Sequence, residues 1–211
     1  MKYLLFLSIS LSIIHTELIS PINLDTLSKI HVLFEWEQEP YALDYNIQVS
    51  KTSMFDDIVI DTNSYSLVYI DKENLNWDNE YYWRVRPIFL DNIMGPWINQ
   101  QYFSISNPQF NEFGFINIDY EINNQHLIQD GINIFGDWQR KQAVAFDKEG
   151  FEVWNANFGV MNVSEFGDWF GKNYGNGLFS KFNFKEDILW VVPALDYLHD
   201  PHDFKQAPNG N

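Results

Sequence analysis

LNWDNEYYWRV, residues 75–85, is the stretch that decides how the first half of the chain folds. Tyr81, Trp83 and Val85 place an apolar side chain at every second position, with Arg84 and then Arg86 on the alternate ones. A period of two belongs to a β-strand with one buried face, whereas a helix would repeat at 3.6. The same alternation occurs upstream. Val32, Phe34 and Trp36 point one way with Glu35 and Glu37 opposite, and Tyr45, Ile47 and Val49 alternate with Asn46, Gln48 and Ser50. Residues 58–61, 66–70, 81–89 and 102–106 read as further strands, separated by Asp, Asn, Gly and Pro clusters. No amphipathic helix is evident, and the spacing is that of a small antiparallel sandwich.

Trp36, and Leu75 followed six residues later by Tyr81 with Trp83 continuing the face, give residues 22–106 a pattern that resembles a fibronectin type III domain. Gly95, Pro96 and Trp97 resemble the last hairpin loop of that family. The resemblance implies a β-sandwich in which Trp36, Leu75, Tyr81 and Trp83 are structural, the tyrosine forming a corner. It also implies a spacer, adhesion or docking module, with a cell-surface protein or glycan as partner, although no Arg-Gly-Asp loop is present. Trp77 and Trp97 could stack on a sugar face, but packing roles are the commoner use of such residues. Arg84 and Arg86 are expected to form a solvated stripe paired with acids.

Composition sets the outer limits. The chain has 211 residues, 45% hydrophobic and 18% aromatic, enough for one or two ordinary cores. With 29 acidic against 13 basic residues the net charge is −16, which opposes binding to nucleic acid. The absence of cysteine excludes disulfides and thiolate chemistry. Met1 and Lys2 precede an uncharged apolar run, residues 3–14, that His15, Thr16 and Glu17 end. That run is too short to span a bilayer, so residues 1–20 read as an export signal. The mature protein is then expected to be periplasmic, cell-surface or secreted, without a membrane span.

At Asn107 and Pro108 the pattern breaks, and residues 107–127 read as a linker. Beyond it, residues 142–146 and 151–154 flank the turn Asp147-Lys148-Glu149-Gly150, whose glycine suits a hairpin closure. Residues 182–184 and 188–192 read as further strands. The hairpin AVAFDKEGFEVWN, the strand ILWVVP and the ending HDFKQAPNGN make residues 128–211 resemble the start of a bacterial arylsulfotransferase-like β-propeller. The chain ends in a Pro-Asn-Gly turn without a return strand, so the propeller is expected to be incomplete. The expected fold class is all-β: a fibronectin type III-like β-sandwich, then an incomplete β-propeller-like antiparallel region.

In the arylsulfotransferase family a channel-facing histidine carries the sulfuryl group from an aryl sulfate to a phenol. Only His202 sits in a matching motif, so the resemblance makes it the catalytic candidate of an intact propeller, with turn-stabilising hydrogen bonding as its plainer role. The 211 residues alone are expected to be inactive, and no cofactor is implied. Asp196, His199, Asp200, His202 and Asp203 could ligate a divalent ion, but His199 and His202 fall on opposite faces of an extended segment. A solvated loop is the expected state. Asn162-Val163-Ser164 matches a glycosylation pattern, which counts only in a eukaryotic secreted protein, and GKNYGNG lacks a phosphate-binding sequel. The alternative is a complete small secreted adhesion or carbohydrate-binding protein without catalytic activity, presenting Trp138, Trp169 or Tyr174 to a glycan.

Overall fold

The computed structural model of the protein describes residues 16–107, 130–137, 141–164, 166–183 and 185–193. Among these residues the structure is all-β, with one 3-10 turn at Leu90–Asn92 and no α-helix. The chain divides into two compact units. Residues up to 25, 32–74 and 80–104 make the first, and residues 26–31, 75–79 and 105 onward make the second.

The first unit is a sandwich. One sheet has the order β1-β3-β6, formed by Leu18–Ser20, Val32–Trp36 and Val68–Asp71. The other has the order β2-β8-β7-β4-β5, formed by Asp25–Leu27, Gln101–Ile105, Asn79–Ile88, Asp44–Ser50 and Ile58–Ser64. Each sheet turns its alternate apolar residues inward. Phe34 of β3 meets the edges of Trp83 in β7 at 5.1 Å and Phe103 in β8 at 5.8 Å, and Tyr81 stacks on Phe103 at 5.5 Å. All four rings are fully buried. Trp36, Leu75, Tyr81 and Trp83, the residues singled out by the sequence pattern, are buried as well. Three- and five-stranded antiparallel sheets packed over this aromatic core make a β-sandwich.

Strand β1 lies within the segment expected to be an export signal. Leu18 pairs with Trp36 and is buried, and the amide of Glu37 donates to the carbonyl of Glu17 at 2.9 Å. Leu18–Ser20 is therefore an edge strand of the smaller sheet.

In the second unit, Asn133–Asp137 (β9), Gln142–Phe146 (β10) and Glu152–Ala156 (β11) form a three-strand meander. The expected turn at residues 147–150 connects β10 to β11. Gly150 has φ 84° and its amide donates to the carbonyl of Asp147, while Oδ1 of Asp147 accepts the amides of Glu149 and Phe151. Residues 28–30 pair with the edge of this sheet through a single bridge, Lys29 to Trp154. The amide of Ile30 donates to Val153 at 3.0 Å, and the amide of Asn155 donates to Ser28 at 2.9 Å. Three residues are too few for any periodicity to announce them.

Phe158–Val163 (β12), Trp169–Asn173 (β13), Phe179–Phe182 (β14) and Ile188–Val191 (β15) form a second meander in chain order. Its apolar face joins that of the first meander. Trp154 packs on Trp169 at 4.3 Å, Phe158 stacks on Phe182 at 4.2 Å, and Ala143, Ala145 and Ala156 complete the cluster. The small alanines let the bulky rings interdigitate at interior density. A Cβ on Gly136 would stand 2.7 Å from the Val160 carbonyl, so glycine is required where β9 approaches β12. None of the described sheets closes on itself, and a propeller ring is not formed by these residues. His202, the cluster of residues 196–203 and Trp138 lie outside the described residues.

Candidate functional site

Two features of the first unit bring polar and aromatic groups together. The outer face of the larger sheet carries the alternate residues of β4 and β7, whose register sets Asn46 opposite Arg86 and Gln48 opposite Arg84. Arg84 donates through Nε and Nη2 to Oε1 of Gln48, at 3.1 and 2.7 Å, and Arg86 donates through Nε to Oδ1 of Asn46 at 3.1 Å. Both amides then donate to Asp61, Asn46 Nδ2 at 2.8 Å and Gln48 Nε2 at 2.9 Å. The arginines were expected to be a solvated stripe paired with acids. Instead they are half-buried, and the amides of Asn46 and Gln48 stand between them and the carboxylate of Asp61.

Aromatic rings cover the guanidiniums. Arg84 lies 3.7 Å from the centre of Phe55 and 4.1 Å from that of Trp97, and Arg86 lies 4.2 Å from Trp97. Burial holds the Arg84 guanidinium below its ordinary pKa, the charge of Arg86 adds to that, and Asp61 opposes it. It stays charged, because an arginine starts far above neutral pH. Half-burial strengthens cation–π attraction, since less water competes for the cation. Phe55 is buried with φ 57°, a left-handed conformation rare for a bulky residue, and this places its ring on Arg84.

Trp97 also lines a groove of about 640 Å³ at one end of the sandwich. Pro87 and Phe89 from the end of β7 supply more of its wall, Gln101 opens β8, and Glu17 and Glu39 come from the N-terminal segment and the β3–β4 connection. Close chain approach builds this wall. The amide of Gly95 donates to the carbonyl of Pro87 at 2.8 Å, and a Cβ on Gly95 would fall 2.6 Å from Cγ of Pro87. Only glycine fits there, which gives Gly95 of the Gly-Pro-Trp stretch a physical role.

The polar atoms around the groove are mostly acceptors. Glu39 accepts the Thr16 hydroxyl through Oε2, and its amide donates to the Tyr45 hydroxyl at 2.8 Å. Burial raises the Tyr45 pKa, with the Glu39 carboxylate adding to the rise and the backbone bond opposing it. Gln101 Nε2 donates to the Leu18 carbonyl at 3.0 Å, while its Oε1 is buried without a hydrogen-bond partner. Such an orphan acceptor costs about 1–3 kcal/mol until a donor reaches it.

Trp77 and Trp169, also raised as sugar platforms, are engaged within the second unit. The Trp77 indole donates to the carbonyl of Glu152 at 2.9 Å, and Trp169 is buried against Trp154 and Phe158. Asn162 is exposed on β12 next to a register shift. Among the described residues no group of acids and histidines is placed to hold a metal, and no helix is long and apolar enough to cross a membrane.

No family model and no curated protein matches the chain. Among solved structures it is similar to the crystal structure of a Fn3-like protein from Clostridium thermocellum, at 18% identity and a TM-score of 0.33, over 40% of this chain and 88% of that one.

Glu39, Gln101, Asn46, Gln48 and Phe55 were not singled out from the sequence. The alternation of Asn46 and Gln48 against Arg84 and Arg86 was visible as two polar faces, but their pairing depends on strand register, which a single sequence does not state.

Proposed function

We propose that the chain is an exported interaction protein, in which the fibronectin type III-like sandwich is the docking module and the second unit begins a propeller-like scaffold. The groove beside Trp97 carries this reading, because it sets apolar walls and two carboxylates, Glu17 and Glu39, side by side on a module with no catalytic constellation among its described residues. Labelled full-length protein should be retained saturably by surface extracts, whether glycan or protein. Retention that never saturates, or none at all, would sink the reading.

The order β12-β13-β14-β15, four consecutive antiparallel strands, supports the propeller half, because a propeller blade is such a four-stranded sheet. Propellers need about four to eight blades to close a ring. In an intact propeller His202 would be the candidate to receive a sulfuryl group from an aryl sulfate. The 211 residues should therefore turn over no aryl sulfate with a phenol acceptor. Turnover abolished by His202→Asn would show that catalysis needs no further blades.

A further inference from the structure

Resting on the docking reading, the groove can be given a ligand chemistry. Among the described residues no Lys, Arg or His lines it, while two carboxylates, Glu17 and Glu39, do. Gln101 donates to the Leu18 carbonyl through Nε2, and its Oε1 is buried without a hydrogen-bond partner. The Thr16 hydroxyl fixes the Glu39 carboxylate in place. Around these acceptors stand Pro87, Phe89 and Trp97, apolar surface suited to the aliphatic stem of a long side chain. A volume of about 640 Å³ holds several residues of peptide.

We propose that this groove receives a lysine or arginine side chain on an extended segment of a partner protein, the stem against Trp97 and Phe89 and the cationic head on Glu39 and Glu17. Charge complementarity favours this occupant over a neutral sugar. The whole chain carries −16, so it draws basic segments toward the site.

The test uses the full-length chain, isotope-labelled, with blocked tetralysine and neutral maltotetraose as probes. Tetralysine should shift the Trp97 indole resonance and the Gln101 side-chain amide. Glu39→Gln should weaken binding roughly tenfold, the loss expected for one charge-assisted hydrogen bond. Glu17→Lys, a change at an exposed position that spares the fold, should abolish binding by placing a resident cation in the site. Asp57→Asn, exposed and outside the groove, should leave it unchanged. Equal weakening by all three variants would reduce the effect to diffuse charge and overturn the proposal. So would silence of the two resonances with tetralysine, or maltotetraose shifting them in its place. The docking reading survives each of these failures and falls only with the loss of saturable retention by surface extracts.

Discussion

Trp36 and Trp83 are equally buried yet differ at one atom. The Trp83 indole donates to the Pro21 carbonyl at 3.1 Å, whereas the Trp36 indole N–H has no partner among the described residues. Replacing Trp36 by Phe removes a donor whose burial already costs about 1–3 kcal/mol, which offsets part of the lost volume. Replacing Trp83 by Phe strands a buried carbonyl as well as opening a cavity. Urea unfolding should therefore show Trp36→Phe as the milder change by about 1–2 kcal/mol, while Trp36→Ala costs about 3–5 kcal/mol. Equal losses in the two Phe variants would mean that the difference at the indole nitrogen has no energetic weight. Trp97 poses a related question on the outer face. Trp97→Ala strips the aromatic cover from Arg84 and Arg86 and should cost about 1–3 kcal/mol, two cation–π contacts together. Because the guanidiniums are half-buried, this loss should persist in 0.5 M salt, where an exposed ion pair would fade.

Strands that alternate cleanly were legible in the sequence; strands that do not alternate were hidden. Val32–Trp36, Asp44–Ser50 and Asn79–Ile88 each set apolar residues at period two, and each lies where the pattern placed it. Leu18–Ser20 was obscured because it continues the apolar run of the expected leader, and residues 28–30 because a three-residue segment has no period. The groove was hidden for another reason: residues 16–18, 39 and 87–101 converge only through sheet pairing and the close pass at Gly95. Both hidden segments make element-scale predictions. A chain starting at Pro21 lacks β1 and exposes the paired edge of β3, so its urea midpoint should fall below that of a chain starting at Thr16. Identical midpoints would make β1 dispensable. In the second unit, Ile30→Pro removes the amide that donates to the Val153 carbonyl and should raise the hydrogen-exchange rate of the nearby Asn155 amide, which donates to Ser28. An unchanged rate would mean that residues 28–30 do not hold that edge.

Across the whole molecule, charge and two shielded phenols, buried Tyr45 and half-buried Tyr69, set the response to alkali. Burial raises the pKa of Tyr45, and burial together with the neighbouring Asp71 raises that of Tyr69, whose hydroxyl lies 3.5 Å from an Asp71 oxygen. In the unfolded chain these tyrosines lose their protons near pH 10. A folded-state value above that means the folded form holds its protons longer, so the stabilisation is complete below about pH 10. It declines as the pH rises through the unfolded value toward the folded one. The same rise neutralises lysines and drives the net charge beyond −16, adding self-repulsion of the compact state. The two effects separate with salt: screening relieves repulsion among exposed charges but leaves the cost of an ionised shielded phenol nearly untouched. The urea midpoint should hold steady from pH 7 to about 9 and fall above about 10, with 0.5 M salt restoring only part of the loss. Tyr45→Phe with Tyr69→Phe should shrink the part that salt does not restore. Complete recovery in salt would assign the alkaline loss to surface charge alone and remove the two tyrosines from the account.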